Sequence, residues 1–118
     1  MRFVINGPIT PYTRTTQRQK FVDKRYKRYR ASQDHIRLQL QAAMQREGWE
    51  MLPERTPLWV RVWFWPAKHN CDLDNLVKAV LDAAQRVVFK DDRWVDQISA
   101  ERFRGEEQRC ELVVGRLE

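Results

Sequence analysis

The densest concentration of reactive side chains lies in the string Cys71-Asp72-Leu73-Asp74-Asn75-Leu76-Val77-Lys78-Ala79-Val80-Leu81-Asp82, followed by Asp91 and Asp92. Each part has an ordinary structural use. An Asp at a helix start accepts free backbone N–H groups and favours the positive end of the helix dipole. Asp74, Lys78 and Asp82 recur every fourth residue, so a helix places them on one face, where a solvated ion-pair ladder would look the same. Asp91-Asp92 suits a turn. Taken together they also have a chemical reading. If the acidic turn folds back beside the helix start, it gathers Asp72, Asp74 and one of the turn aspartates. Two carboxylates about 4 Å apart repel by about 4 kcal/mol at an effective dielectric near 20, so such a cluster is held open, protonated or bridged by a cation. Oxygen-only ligands select a hard ion, Mg2+ or Mn2+ in its place, which keeps waters that exchange with phosphate oxygens. That ion would generate or orient a nucleophilic water and neutralise charge on a scissile phosphate. Lys78, one turn along, could stabilise the same phosphate or assist the water.

A phosphate substrate needs positive charge elsewhere, and the chain has it in one half. The 118 residues carry 22 Lys and Arg against 16 Asp and Glu, a formal net charge of +6. Residues 1–50 hold eleven basic and four acidic side chains, whereas residues 51–118 are nearly balanced. The stretch Arg18 to Arg30 has seven basic residues and one acid, with Tyr26 and Tyr29 interleaved. It reads either as a solvated helix face or as a surface that draws in a phosphate backbone.

These groups must be held by a small set of elements. Arg2 to Asn6 suits a short strand that Gly7-Pro8 ends, and a polar connection follows from Thr10 to about Gln19. Ile36, Leu38, Leu40, Ala43 and Met44 recur at close to helical spacing, which predicts a long helix ending near Gly48 and Pro53. The basic stretch is either its first turns or an ordered loop, and Ser32 could cap a second piece. Leu58 to Trp65 alternates, with Leu58, Val60, Val62 and Phe64 on one face and Trp59, Arg61, Trp63 and Trp65 on the other. That pattern predicts a central strand covered on both faces, by helices on one and by a partner on the other. A second helix is expected over Asp74 to Gln85, with Leu73, Leu76, Val77, Val80, Leu81 and Ala84 as its apolar stripe. Two last strands, about Val95 to Phe103 and Cys110 to Leu117, read as a hairpin turning near Gly105.

Composition bounds the remaining classes. With 42% hydrophobic and 32% charged residues and only four Gly, the chain is neither disordered nor collagen-like, and its length suits one domain with its own core. No apolar run approaches the roughly 20 residues that cross a bilayer, and the first residues lack a signal peptide's apolar stretch, so a cytoplasmic protein without membrane contact is expected. Cys71 and Cys110 form no CxxC and are expected to be buried thiols. His35, His69 and the cysteines lack paired zinc-ligand spacing, and there is no Gly-rich phosphate loop, GxSxG or HExxH.

The chain resembles the RusA-type Holliday-junction resolvases, small homodimeric Mg2+-dependent endodeoxyribonucleases of bacteria and their phages. The resemblance rests on Asp72, Asp74, Asn75 and Lys78 in an Asp-x-Asp-Asn-x-x-Lys pattern, the following Leu81-Asp82-Ala83, and Asp91, Asp92 and Val95 in Asp-Asp-x-x-Val. It implies Asp72, Asp74, Asp92 and Lys78 as the catalytic set, with the three aspartates as metal ligands. It also implies a basic residue in the strand beyond, where Arg102 sits, and an Arg-bearing loop after the first strand, where Arg14 sits. With the basic stretch this makes Arg14, Arg18, Lys20, Lys24, Arg25, Lys27, Arg28 and Arg102 the expected DNA contacts. Trp94 stands where the family commonly has Gln, and Cys71 where Pro often precedes the motif. The expected fold is α+β, in the order strand, helix, strand, helix, strand, strand, with a small mixed sheet covered by helices on one face. A homodimer carrying two acidic sites would then cut two opposed strands of a four-way DNA junction. The alternative is a noncatalytic basic module that binds branched or duplex DNA.

Overall fold

The computed structural model describes residues 1–12, 24–66 and 71–118. Strand β1 (Arg2–Asn6) is followed by helix α1 (Lys24–Glu47), strand β2 (Leu58–Trp65), helix α2 (Leu73–Ala84), a 3-10 turn (Asp92–Trp94), and strands β3 (Val95–Arg102) and β4 (Arg109–Arg116). The four strands form one mixed sheet in the order β1-β4-β2-β3. The fold is the α+β arrangement that the sequence predicts.

One element helix accounts for much of the basic stretch, since α1 already runs from Lys24 without a break at Ser32. Ser32 is not a cap. It is buried, and its Oγ accepts a hydrogen bond from the Thr10 amide at 3.1 Å, bracing the chain after β1. The helix stops at Gly48, whose φ of +69° suits a residue without Cβ. The Trp49 amide then reaches back to the Met44 carbonyl and the Gly48 amide to that of Gln45, the paired bonds that close a Schellman end.

Strand β2 lies between β4 and β3, and its alternation sorts cleanly: Leu58, Val60, Val62 and Phe64 are at most 2% exposed. They join Phe3, Ile5, Leu112 and Val114 beneath Ile36 and Leu40 of α1 and Leu76 and Val80 of α2. The opposite face has no covering layer among the described residues. Instead each of its tryptophans meets an arginine: Arg61 lies 5.5 Å from Trp59, Arg2 5.9 Å from Trp63, and Arg109 3.8 Å from Trp65.

The expected terminal hairpin does not form. Strand β3 pairs in parallel with β2, and β4 pairs antiparallel with the other edge of β2, so β2 separates the two last strands. A parallel pair cannot close through a tight turn, and α2 supplies the crossover from β2 to β3. The segment around Gly105 therefore carries the chain over one strand rather than turning it back on itself. Of the two thiols, Cys110 is buried as expected, and burial raises its pKa; Cys71 is only half-buried.

Candidate active site

The edge of α2 and the acidic turn supply the candidate residues. Asp72 occupies the N-cap position of α2 with extended backbone (φ −73°, ψ 136°), yet its carboxylate makes no capping bond. The structural use that would have explained this residue is thus not the one it has. Asp74, in the first turn, accepts a bond from the Asn75 amide at 3.0 Å. Both carboxylates are exposed.

Cys71, immediately before Asp72, is held from a distant strand. Arg102, on β3, pairs in register with Phe64 and so faces the helical side of the sheet, where its guanidinium donates to the Cys71 carbonyl. Arg28 of α1 lines a cavity with Cys71, Pro66 and Pro8–Pro11, which brings the basic end of α1 to the same corner. On the other side, the Tyr12 amide donates to the Asn75 carbonyl at 3.0 Å.

The structure separates the two turn aspartates. Asp91 caps the 3-10 turn: its Oδ1 accepts from the Arg93 amide at 2.9 Å and its Oδ2 from the Arg93 guanidinium at 3.2 Å. The backbone bond from Arg93, followed by that side chain, holds its carboxyl below the usual carboxylate range. Asp92 is half-buried. Burial, and then the negative charges of Asp91 and Asp82, raise its pKa, while Lys78 pulls the other way.

The acidic turn comes close enough to α2 for Asp92 to sense the charges of Lys78 and Asp82. Among the described residues, no three His, Cys, Asp or Glu side chains stand close enough together to hold a metal ion. The gathering of Asp72, Asp74 and a turn Asp expected from the sequence is therefore not preformed. Mutual repulsion is the physical reason that uncompensated carboxylates stand open. The donor chemistry nonetheless suits a hard cation: the acids are oxygen-only ligands, Asp72 is uncommitted to its cap, and Asp92 sits where negative charge is already in excess.

Asp82 lies within the motif, but the sequence gives it no part in the site. Its Oδ1 lies 3.7 Å from the Lys78 ammonium, and its Oδ2 accepts from the Tyr29 hydroxyl of α1 at 3.2 Å. Its place four residues after Lys78 was the available signal; nothing local in the sequence points to Tyr29. Of the expected DNA contacts, Lys24, Arg25, Lys27 and Arg28 lie exposed on the first turns of α1. Arg102 is turned to the Cys71 carbonyl, and Arg14, Arg18 and Lys20 lie outside the described residues.

The family description for endodeoxyribonuclease RusA matches residues 7–115. No individually curated protein shows a significant match to the chain. With nearly its whole length matched, the chain belongs to the RusA endodeoxyribonuclease family.

Proposed function

We propose that this member of the RusA endodeoxyribonuclease family resolves Holliday junctions by Mg2+-dependent hydrolysis of paired, symmetrically placed phosphodiesters, in DNA recombination and repair. The observation that carries this reading is Asp72 at the N-cap position of α2 with a carboxylate that makes no capping bond, beside Asp74 in the first turn. Asp72, Asp74 and Asp92 would hold the cation, Mg2+ or Mn2+ in its place. Bound there, it would supply an activated water and charge neutralisation at the phosphate. Lys78 adds an ammonium that can hold a non-bridging phosphate oxygen as negative charge builds on it. Arg102 fixes the backbone from which Asp72 projects. Lys24, Arg25, Lys27 and Arg28, with Arg14, Arg18 and Lys20, draw the DNA backbone towards acids that would otherwise repel it.

The working unit is a homodimer. A four-stranded sheet covered by helices on one face leaves Trp59, Trp63, Trp65, Val4 and Phe103 on the other, among mixed charges such as the Arg2–Glu111 pair at 3.1 Å. A second copy brings the same mixture of rings and opposite charges, as a two-fold interface requires. Two sites related by that axis match a substrate with nearly two-fold symmetry. No helix among the described residues is long and apolar enough to cross a membrane, and the substrate places the enzyme in the cytoplasm of a bacterium, encoded there or by a phage.

The test is cleavage of a synthetic four-way junction with and without Mg2+, with products mapped on all four strands. Paired nicks in opposed strands are expected, and D74N should lose them while retaining binding. Junction binding without cuts under any divalent cation would leave a noncatalytic DNA-binding module as the function.

A further inference from the structure

A lysine on a helix leans towards the N-terminus, so an acid four residues before it is the better partner than one four residues after. Lys78 has both choices, Asp74 before and Asp82 after, and its ammonium lies 3.7 Å from Asp82. The cause is in what surrounds the second acid. Asp82 is held at both oxygens, by the Tyr29 hydroxyl at 3.2 Å and by the Gln85 side-chain amide at 3.3 Å. The Tyr12 ring lies 4.8 Å from the same ammonium, a cation–π contact that favours the charged group where it stands. Tyr12 is itself fixed by its amide bond to Asn75 and by edge contact with Tyr29 at 5.7 Å. Two segments distant in sequence thus converge on one Lys–Asp pair, more than a solvated surface pair needs.

We infer that Asp82 is a positioning residue: anchored by Tyr29, it holds the Lys78 ammonium against the Tyr12 ring. The inference rests on the nuclease reading for its consequence and on side-chain geometry for its premise. Burial and the Asp82 charge raise the pKa of the Tyr29 phenol, so its proton stays available to Asp82 throughout the working range. Without that anchor Lys78 returns to the pairing a free helix prefers, with Asp74, and the ammonium leaves the Tyr12 ring.

Two measurements on the full chain test this. In the NMR spectrum, ring current from Tyr12 should shift the Lys78 ε-methylene protons upfield, and D82N should abolish the shift. In junction cleavage with Mg2+, D82N should lower kcat by roughly ten- to a hundredfold, the scale of a misplaced catalytic group, with KM unchanged. D82E should recover part of the loss. Y29F, which removes one anchor and keeps the acid, should move both readouts in the same direction and serves where D82N fails to fold. An unchanged Lys78 signal, or wild-type kcat in a folded D82N or Y29F, overturns the positioning role. Absence of cleavage by the unaltered protein would instead overturn the nuclease reading, with the NMR comparison still reporting on Lys78.

Discussion

The Arg102 guanidinium donates a hydrogen bond to the backbone carbonyl of Cys71, the residue immediately before Asp72. An arginine on the last strand before the β3–β4 connection therefore braces the first acid of the Asp-x-Asp pair. This is a different use from a DNA contact, and the two are separable. R102M should lower cleavage by about tenfold or more, because a small displacement of a catalytic group is costly. The salt dependence of junction binding should stay that of the unaltered protein, whereas loss of a duplex phosphate contact would reduce the log–log slope by about 0.9. A reduced slope with normal cleavage of bound junction would assign Arg102 to DNA.

Asp92 predicts a conflict between stability and function. Its pKa in the folded chain is raised above the ordinary value of 3.8 by burial and by Asp91 and Asp82. Its favourable contribution is therefore complete only below that ordinary value and is lost as pH rises through the folded-state pKa. At pH 7 the ionised carboxylate destabilises the metal-free fold, so D92N should melt higher than the unaltered protein there. The gain should shrink below about pH 4, where both forms are neutral. Mg2+ should reverse the order by stabilising only the intact site, by about 2.7 kcal/mol at a hundred times its Kd. Thermal unfolding across pH, with and without Mg2+, checks both signs; equal melting of the two proteins at pH 7 would contradict the crowding of Asp92.

What could be read beforehand was whatever a local period carries. The alternation of β2 separated Leu58, Val60, Val62 and Phe64 from the tryptophans because burial follows the pleat, and the apolar stripe of α2 followed the helical turn in the same way. The failed hairpin shows the limit: a turn near Gly105 looks alike in sequence whether β4 lies beside β3 or one strand beyond. The site divides along the same line. Lys78 and Asp82 were placed on one face by spacing, but the Tyr29 hydroxyl at Asp82 depends on how α1 crosses α2. The unequal roles of Asp91 and Asp92 depend on which of them caps the 3-10 turn, a choice two identical neighbours do not disclose.

The basic turns of α1 should contribute affinity without sequence preference. Lys24, Lys27 and Arg28 are exposed near the corner that bears Asp72, with Arg28 and Cys71 lining one cavity. Replacing all three by Gln should weaken junction binding uniformly across arm sequences. The log–log salt slope should fall by about 0.9 for each that contacts duplex phosphate. Cleavage of saturated junction should remain near normal, because none of the three touches Lys78 or Asp92. Salt titrations of binding to junctions of several sequences provide the measurement, and an unchanged slope would remove this turn from the DNA path.

Gly115 tests the open face of the sheet. A Cβ there would clash with Cζ2 and Cε2 of Trp59, so the indole lies directly on the backbone of β4 and G115A must displace it. Trp59 is flanked by Arg61 at 5.5 Å. On the helical side of the same strands, Leu58, Val60 and Val114 are sealed from this change, so the core remains intact. Overpacking of this kind costs about 1–3 kcal/mol. If the face joins two copies, much of that cost falls on association, and since about 1.4 kcal/mol is tenfold in Kd, self-association should weaken roughly ten- to a hundredfold. Sedimentation equilibrium measures the association, and tryptophan fluorescence reports whether Trp59 has moved. A displaced Trp59 with unchanged association would show that this face does not join two copies.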